Sequence, residues 1–319
     1  MTQYVIGVDL GGTRIRAARL DQNLKILQRV ETFTLAHEGL EPTLNRIKEQ
    51  IRLVLPTDGE LLGIGISAPG PLNPETGVIV SPPNLPGWHN VPLGKVLSDE
   101  FNVPIFTGND ANVAALAEAA LGAAQGYKHV IYVTVSTGIG SGIIIDGRML
   151  LGKSGLAAEA GHMQMIVEDH VSSLELEAAG PDMAEHAKKL IKAGEQSQMI
   201  DMVNGDIDAI SGTTVGEAAK AGDPLALRVV RRSGKILGLG VVNLLHLFNP
   251  EIVIIGGGVA NLGELLFDPM QEAIETYCMD ADYWKDTIIT TPHLGEDVSI
   301  YGAAALVVTD GGKKPINKI

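Results

Sequence analysis

Two glycine loops in matching settings constrain this chain more than any other feature. The first, Asp9-Leu10-Gly11-Gly12-Thr13, follows an apolar run at 4–8. The second, Ser136-Thr137-Gly138-Ile139-Gly140-Ser141-Gly142, follows an apolar run at 129–135. Each leads at once into another apolar run, 15–20 and 143–145, and each of those ends at a turn, Asp21-Gln22-Asn23 and Asp146-Gly147. Strand, glycine loop, strand and turn thus occur twice, and short consecutive strands with period-two patterning make β-hairpins. Glycine at a hairpin tip has no Cβ, so backbone N–H groups can approach an anion closely. Singly, either loop is equally well a tight turn. The repetition favours two related halves whose glycine tips face each other across a cleft and hold a polyphosphate.

Strands alternate with helical patterns along the rest of the chain. Leu40, Leu44, Ile47, Ile51 and Leu55 recur at helical spacing, which predicts a helix over 40–55. A buried strand at 62–67 is followed by a long loop rich in Pro, Gly and Asn at 68–88. A short strand at 105–108 ends at Asn109-Asp110, and an alanine-rich helix at 111–121 follows. Beyond the second hairpin, helical patterns cover 174–193, 214–221 and 224–247. Asp223-Pro224 starts the last of these, with Asp as N-cap and Pro at the first helical position. A strand at 251–255 ends in Gly256-Gly257-Gly258; a helix at 262–279, a strand at 287–291 and a helix at 302–308 close the pattern. The basic tail at 311–319 contains Gly and Pro and reads as loose. Such alternation places the chain in the α/β class. Ligands of open α/β sheets sit beyond the carboxyl ends of strands, where both glycine loops, Asn109-Asp110 and Gly256-Gly257-Gly258 fall.

A chain of 319 residues, 45% of them hydrophobic, can bury the cores of about two domains. The formal net charge of −14 argues against nucleic acid as a general partner, which needs a basic footprint. The single cysteine, Cys278, precludes an internal disulfide and a cysteine-rich metal site and suits the cytoplasm. The opening Met1-Thr2-Gln3 has no basic stretch before the first strand, so no secretory signal is expected. The most apolar stretch, 236–255, contains Asn243, His246, Asn249, Pro250 and Glu251 and is not a membrane span.

Several side chains could do chemistry. Asp9, beside phosphate-binding amides, is placed to hold Mg²⁺ through water, since Mg²⁺ is usually shared between one or two carboxylates and phosphates; a turn-capping Asp is the plainer alternative. Ser136 and Thr137 offer hydroxyls to phosphate oxygens, and Arg14 or Arg16 adds charge. Asp110, where strand meets helix, either caps that helix or takes the proton from an attacking hydroxyl. Phosphoryl transfer asks for little beyond a positioned base, a metal and donors for the phosphates. Asn109 would then hydrogen-bond a polar ligand. Glu159, His162 and Glu175 follow a glycine-rich stretch, and two carboxylates with a histidine can bind vicinal hydroxyls. Taken alone, Glu175 reads as a solvated helix residue and His162 as a half-buried, satisfied one.

In order and spacing, these segments resemble the ROK family (repressors, open reading frames and sugar kinases), within the actin/hexokinase/Hsp70 superfold. The resemblance covers nearly the whole chain. It is carried by Asp9-Leu10-Gly11-Gly12-Thr13, Ala68-Pro69-Gly70-Pro71, Pro83-Asn84-Leu85-Pro86-Gly87-Trp88, Asn109-Asp110-Ala111-Asn112, the second glycine loop, Glu159-Ala160-Gly161-His162 and Gly256-Gly257-Gly258. It implies two related α/β domains of the actin-like ATPase (ribonuclease H-like) type with a cleft between them: a small one, 1–110 with 302–319, and a large one, 111–301. It implies an ATP- and Mg²⁺-dependent hexose kinase, glucokinase-like in its 83–88 segment, acting on the sugar 6-hydroxyl. Kinases for fructose, mannose, N-acetylglucosamine and N-acetylmannosamine share the same pattern. By the resemblance, Gly11, Gly12, Thr13, Thr137 and Gly138 face the phosphates, and Gly256, Gly257 and Gly258 lie under the adenosine. Asp110 is the base; Asn109, Glu159, His162 and Glu175 bind sugar hydroxyls; Gly70 and Asn84 line the sugar side. A homodimer is expected from the same source.

One segment departs from the family. Many members follow the Gly-His pair with a cysteine-rich zinc loop ending in Cys-Leu-Glu. Here 163–171 leads to Ser172-Ser173-Leu174-Glu175, with Ala178-Ala179-Gly180 after it and no cysteine before it. A structural zinc site needs four protein ligands, so none is expected. The competing class is a ROK repressor, which carries an N-terminal helix-turn-helix; a first strand at Tyr4 leaves no room for one. A sugar-binding protein of this fold without activity is the other alternative, against which Asp9 and Asp110 both stand.

Overall fold

Strand β1 (Gln3–Leu10) sends successive side chains to opposite faces of its sheet. Ile6, Val8 and Leu10 enter a core shared with Leu44, Ile47 and Ile51 of helix α1 (Leu40–Val54). Gly7, between them, faces the other way, where the last helix of the chain (Val298–Val308) lies so close that a Cβ would stand 2.4 Å from the Ile300 carbonyl oxygen. Each aliphatic side chain fully buried in such a core contributes about 1.5–3 kcal/mol. Strand β2 (Arg14–Asp21) returns antiparallel from the glycine tip, pairing Leu10 with Ile15 and Asp9 with Arg16. β3 (Ile26–Phe33) continues the meander, and β4 (Glu60–Ala68) lies parallel to β1.

The segment expected to be loop at 68–88 contains a short hairpin with two residues in each strand, β5 (Leu72–Asn73) with β6 (Val78–Ile79), and its Gly70–Pro71 peptide is cis. Helix α2 (Leu93–Phe101), which the sequence reading misses, ends at Asn102 in the left-handed region. β7 (Ile105–Asn109) pairs parallel to β4 and runs straight into helix α3 (Asp110–Leu121). The sheet order is β3-β2-β1-β4-β7.

The second glycine loop joins β8 (Val130–Val135) to β9 (Ile139–Ile145), and a short β10 (Arg148–Met149) follows. Next come a hairpin, β11 (Gln164–Val167) with β12 (His170–Ser173), and helices α4 (Leu174–Ala178) and α5 (Gly180–Lys192). Sequence periodicity predicts one helix over 174–193; the chain makes two, because Gly180 N–H turns to the Ser136 carbonyl at 2.9 Å. Helices α6 (Met199–Met202), α7 (Gly212–Lys220) and α8 (Pro224–Phe248) precede β13 (Ile252–Gly256). Asp223 caps α8 as expected, accepting Ala226 N–H at 2.8 Å. α9 (Glu264–Tyr277) packs on α8, β14 (Ile288–Thr290) lies parallel to β13, and α10 (Val298–Val308) begins four residues earlier than its expected start at 302. The sheet order is β10-β9-β8-β13-β14. Counted within its own sheet, each set of five runs 3-2-1-4-5, so the repetition seen in the glycine loops extends to whole sheets.

The structure, a computed structural model, describes residues 1–167 and 169–316. Glu168, in the segment that departs from the family, and 317–319, the end of the tail read as loose, lie outside the described residues. Packing groups the chain into two units. One contains Met1–Tyr132, Gly142–Ala158 and the chain from Pro292; the other contains Val133–Ser141 and Glu159–Thr291. The described part of the tail is not loose: Ile316 is buried and donates to the Gly147 carbonyl at 2.9 Å, while Gly312 accepts from Met149 N–H at 3.0 Å. Among the described residues no helix is long and apolar enough to cross a membrane.

Candidate active site

Register aligns the carboxyl ends of three strands in the first unit. Asp9 on β1 pairs with Ser67 on β4, and Ala68 pairs with Asn109 on β7. Asn109 is the N-cap of α3, its Oδ1 accepting Asn112 N–H at 2.8 Å. The cap therefore falls one residue before Asp110, which leaves Asp110 for another use. One Asp110 oxygen, Oδ1, accepts Ala111 N–H at 2.9 Å, which orients the carboxylate. Solvent reaches this side chain, yet protein fills much of the volume around it. That partial loss of water pushes its carboxyl above the ordinary value, against the opposing pull of backbone hydrogen bonds. Gly70 stands beside Asn109, its open side 4.0 Å from the Asn109 Cβ.

Asp9 is buried and held by Arg16, its cross-strand partner. Nε and Nη2 of Arg16 both reach Oδ2, at 2.9 and 2.6 Å, and the Ser299 side chain adds a hydrogen bond. Burial raises the Asp9 carboxyl and prevails over Arg16, helped by the nearby charge of Asp110. Arg16 also donates to the Glu296 carbonyl at 2.8 Å, whereas Arg14 pairs with Glu31 at 2.6 Å. At the first glycine tip, Gly11 N–H closes the turn onto the Arg14 carbonyl at 2.9 Å, so it is spent there and not offered to an anion. Gly12 lies against Asn84: a Cβ would stand 2.9 Å from the Asn84 Cβ. Asn84, expected on the sugar side, thus also touches the first glycine loop. Thr13 is exposed beside it.

In the second unit Ile139 is the meeting point. Its N–H donates to Glu175 Oε2 at 2.7 Å. Its carbonyl faces Gly161, where a Cβ would come within 2.0 Å. The short turn carrying Glu159 and His162 is thereby pressed onto the start of β9, and Ala160 N–H donates to Ser141 Oγ at 3.1 Å. Leu174 N–H donates to the Met163 carbonyl at 3.0 Å, joining that turn to α4 and Glu175. Glu159 and His162 are exposed and Glu175 is half-buried. Glu175 therefore touches the loop of Thr137 and Gly138, a contact the sequence reading does not anticipate.

A cavity of about 680 Å³ opens beside the same loop. Ser136, Thr137 and Gly258 line it together with residues the sequence reading misses, among them Gly180 and Met183 of α5, Thr213 of α7 and Val259. The helix expected at 214–221 is α7, which begins at Gly212 behind a capping box of Ser211 with Thr214; its place beside the cavity is what the sequence reading lacks. Gly257, at φ +86°, lets β13 turn beside β8, where a Cβ would stand 2.3 Å from the Val135 carbonyl oxygen. Gly256 is buried at the end of β13. Among the described residues, no three His, Cys, Asp or Glu side chains group so as to hold a metal ion.

A glucokinase from Thermotoga maritima is 36% identical to this chain over 313 residues, covering 95% of the chain and 96% of its own length. A xylose repressor from Caldicellulosiruptor bescii is 33% identical over 270 residues, covering 83% of the chain and 67% of its own length. The crystal structure of a ROK family glucokinase from Streptomyces griseus in complex with glucose and AMPPNP superimposes with a TM-score of 0.74 at 30% identity, covering 95% of this chain and 98% of that one. The family model described as "ROK family" matches residues 5–310, and with these likenesses the chain belongs to the ROK family, whose solved kinases share its actin-like fold.

Proposed function

We propose that this protein is an ATP-dependent hexose kinase that transfers the γ-phosphoryl group to a sugar 6-hydroxyl, with glucose its preferred acceptor. The observation that carries the reading is Asp110: a solvent-reached carboxylate at a strand-to-helix junction, one oxygen fixed by a backbone N–H and its proton affinity raised by the protein packed around it. Such a group accepts the hydroxyl proton as the oxygen attacks, and a raised pKa makes it the stronger base. Asn109, with its Oδ1 committed to the cap, presents its amide N–H groups to a sugar oxygen. Glu159, His162 and Glu175 hold further hydroxyls, with Gly70 and Asn84 beside the sugar. The glucose and AMPPNP in the Streptomyces griseus structure and the glucokinase activity named for the Thermotoga maritima relative support the substrates.

Gly12, Thr13, Thr137 and Gly138 take the phosphates, while the nucleoside enters the 680 Å³ cavity, which Gly258 lines at the end of the run Gly256-Gly257-Gly258. Asp9 fits Mg²⁺ as a partner through water: Arg16 already occupies Oδ2, which disfavours direct ligation, but a carboxylate retains acceptor sites for a metal-bound water. When bound, the ion would draw charge from the phosphate oxygens. A division by role into 1–110 with 302–319 and 111–301, a homodimeric state and a cytoplasmic location belong to the same proposal.

A coupled assay of ADP release at fixed ATP over a panel of hexoses tests it. Release with glucose above all others is expected; preference for another hexose moves the acceptor and not the chemistry. The xylose repressor among the relatives favours a second reading, a sugar-binding regulator without activity. Hexose binding by calorimetry with no ADP release would select it.

A further inference from the structure

Helix α4 has only five residues, too few to hold its own orientation. Glu177 on it is buried, and its carboxylate collects partners from two other elements. Oε2 accepts from Arg232 Nη2 on α8 at 2.5 Å, and Oε1 lies 3.1 Å from His170 Nε2 on β12. The Ser172 side chain on β12 makes a further hydrogen bond, and Arg232 also reaches the Glu177 carbonyl at 3.4 Å. Burial alone would push the Glu177 carboxyl up; the hydrogen bonds from Arg232, Ser172 and His170 outweigh it and hold the group below its ordinary value. A second pin lies about two turns along α8. Leu174 is buried against Gly240, where a Cβ would stand 2.6 Å from Leu174 Cδ2. Glu175 sits between the two pins with its carboxylate on Ile139 N–H.

We propose that Arg232 and Glu177 are positioning residues for the sugar-binding edge, an ion pair that fixes α4 and the β11–β12 hairpin so that Glu175 keeps its place against the loop at Ile139. The segment has no cysteine with which a metal could do this. Neither residue touches a substrate in this account; both act through Glu175 and the turn that carries His162. The inference rests on the hexose-kinase reading for its kinetic readout, so a second readout independent of activity accompanies it: amide hydrogen exchange at Ile139.

The test compares the wild type with Arg232→Met and Glu177→Gln. Arg232→Met leaves the buried carboxylate without its charged partner, held only by His170 and Ser172. It should raise the hexose KM by about tenfold, within the range for displaced binding groups, keep the ATP KM within about twofold, and speed exchange at Ile139 while the α8 core stays protected. Glu177→Gln keeps the shape and one acceptor oxygen, so a smaller change in the same direction is expected. If Arg232→Met does not fold, Glu177→Gln decides. An unchanged hexose KM with unchanged Ile139 exchange in a folded variant overturns the proposal. So does a loss of activity that merely follows the folded fraction, with KM values intact. If the wild type phosphorylates no hexose, the functional reading fails, and the exchange measurement still decides between positioning and none.

Discussion

The carboxylate of Glu175 accepts the backbone N–H of Ile139 at 2.7 Å, so a residue read as a sugar ligand also holds the loop that carries Thr137 and Gly138. One of its oxygens is committed to that amide, and Gly138 is as close: a Cβ there would lie 2.5 Å from Oε2. Glu175→Ala removes the proposed sugar contact and unties the loop, and should worsen the constants for hexose and for ATP together. Glu175→Gln retains an acceptor for Ile139 N–H, so its ATP KM should stay within about twofold while hexose use weakens by roughly tenfold or more, the scale of a lost buried hydrogen bond. Steady-state kinetics on both variants check this. Hexose constants untouched by either change would place Glu175 outside the sugar site.

Partial loss of water to the surrounding protein raises the Asp110 carboxyl above its ordinary value near 3.8. The folded protein therefore holds this proton more tightly than the unfolded chain. Its contribution favours folding below the ordinary carboxylate range and is lost as pH rises through the raised value. Asp110→Asn removes that loss. At pH 7 the variant should melt above the wild type, and the gap should close as pH falls towards 3.8. Thermal melts from pH 4 upward measure it, and a lower melting temperature for the variant at pH 7 would contradict it. In the wild type, kcat/KM should rise with pH on its acid limb, with an apparent pKa above the ordinary Asp value.

Much of this was legible because it is local or periodic. The paired glycine loops announce two sheets that run in the same order, and Asp223-Pro224 marks the start of α8. Hairpin register alone could have paired Asp9 with Arg16, since a tip at Gly12-Thr13 sets Leu10 opposite Ile15. Other features depend on partners far along the chain. The break between α4 and α5 comes from Gly180 bonding Ser136, and the cavity walls from α5 and α7 meeting the loop after β8. Helix α2 escaped because its short apolar pattern, Leu93 and Leu97, follows a Pro-rich stretch. The residues proposed for the base and the sugar were named from sequence; the cavity lining from α5 and α7, the bond from Glu175 to Ile139 and the use of Asn109 as the cap of α3 were not, because each depends on the observed backbone.

Gly257 has φ +86° and its open side faces the Val135 carbonyl. An added methyl group meets both backbone strain and a carbonyl that cannot yield cheaply. Gly257→Ala should destabilise the protein by about 1–3 kcal/mol, the usual cost of a side chain in such a conformation. Denaturant unfolding reads this directly, and a change under about 0.5 kcal/mol, the scale of an unremarkable surface substitution, would show that the turn can relax.

Metal content should follow the donor set. The chain has one cysteine, and the loop after His162 offers none. Protein purified without a polyhistidine tag should carry far less than one zinc per chain by elemental analysis, and chelators should leave its melting temperature unchanged. Stoichiometric zinc that stabilises the fold would mean that other ligands have assembled a site.

The central claim is that Asp110 is the base of a hexose kinase, and one comparison tests it most directly: turnover of glucose by wild type and Asp110→Asn at saturating ATP, with nucleotide binding measured on the same samples. The variant should bind ATP as the wild type does and lose at least about a hundredfold in kcat, the usual scale for removing a general base. Turnover within a few-fold of the wild type would contradict the account.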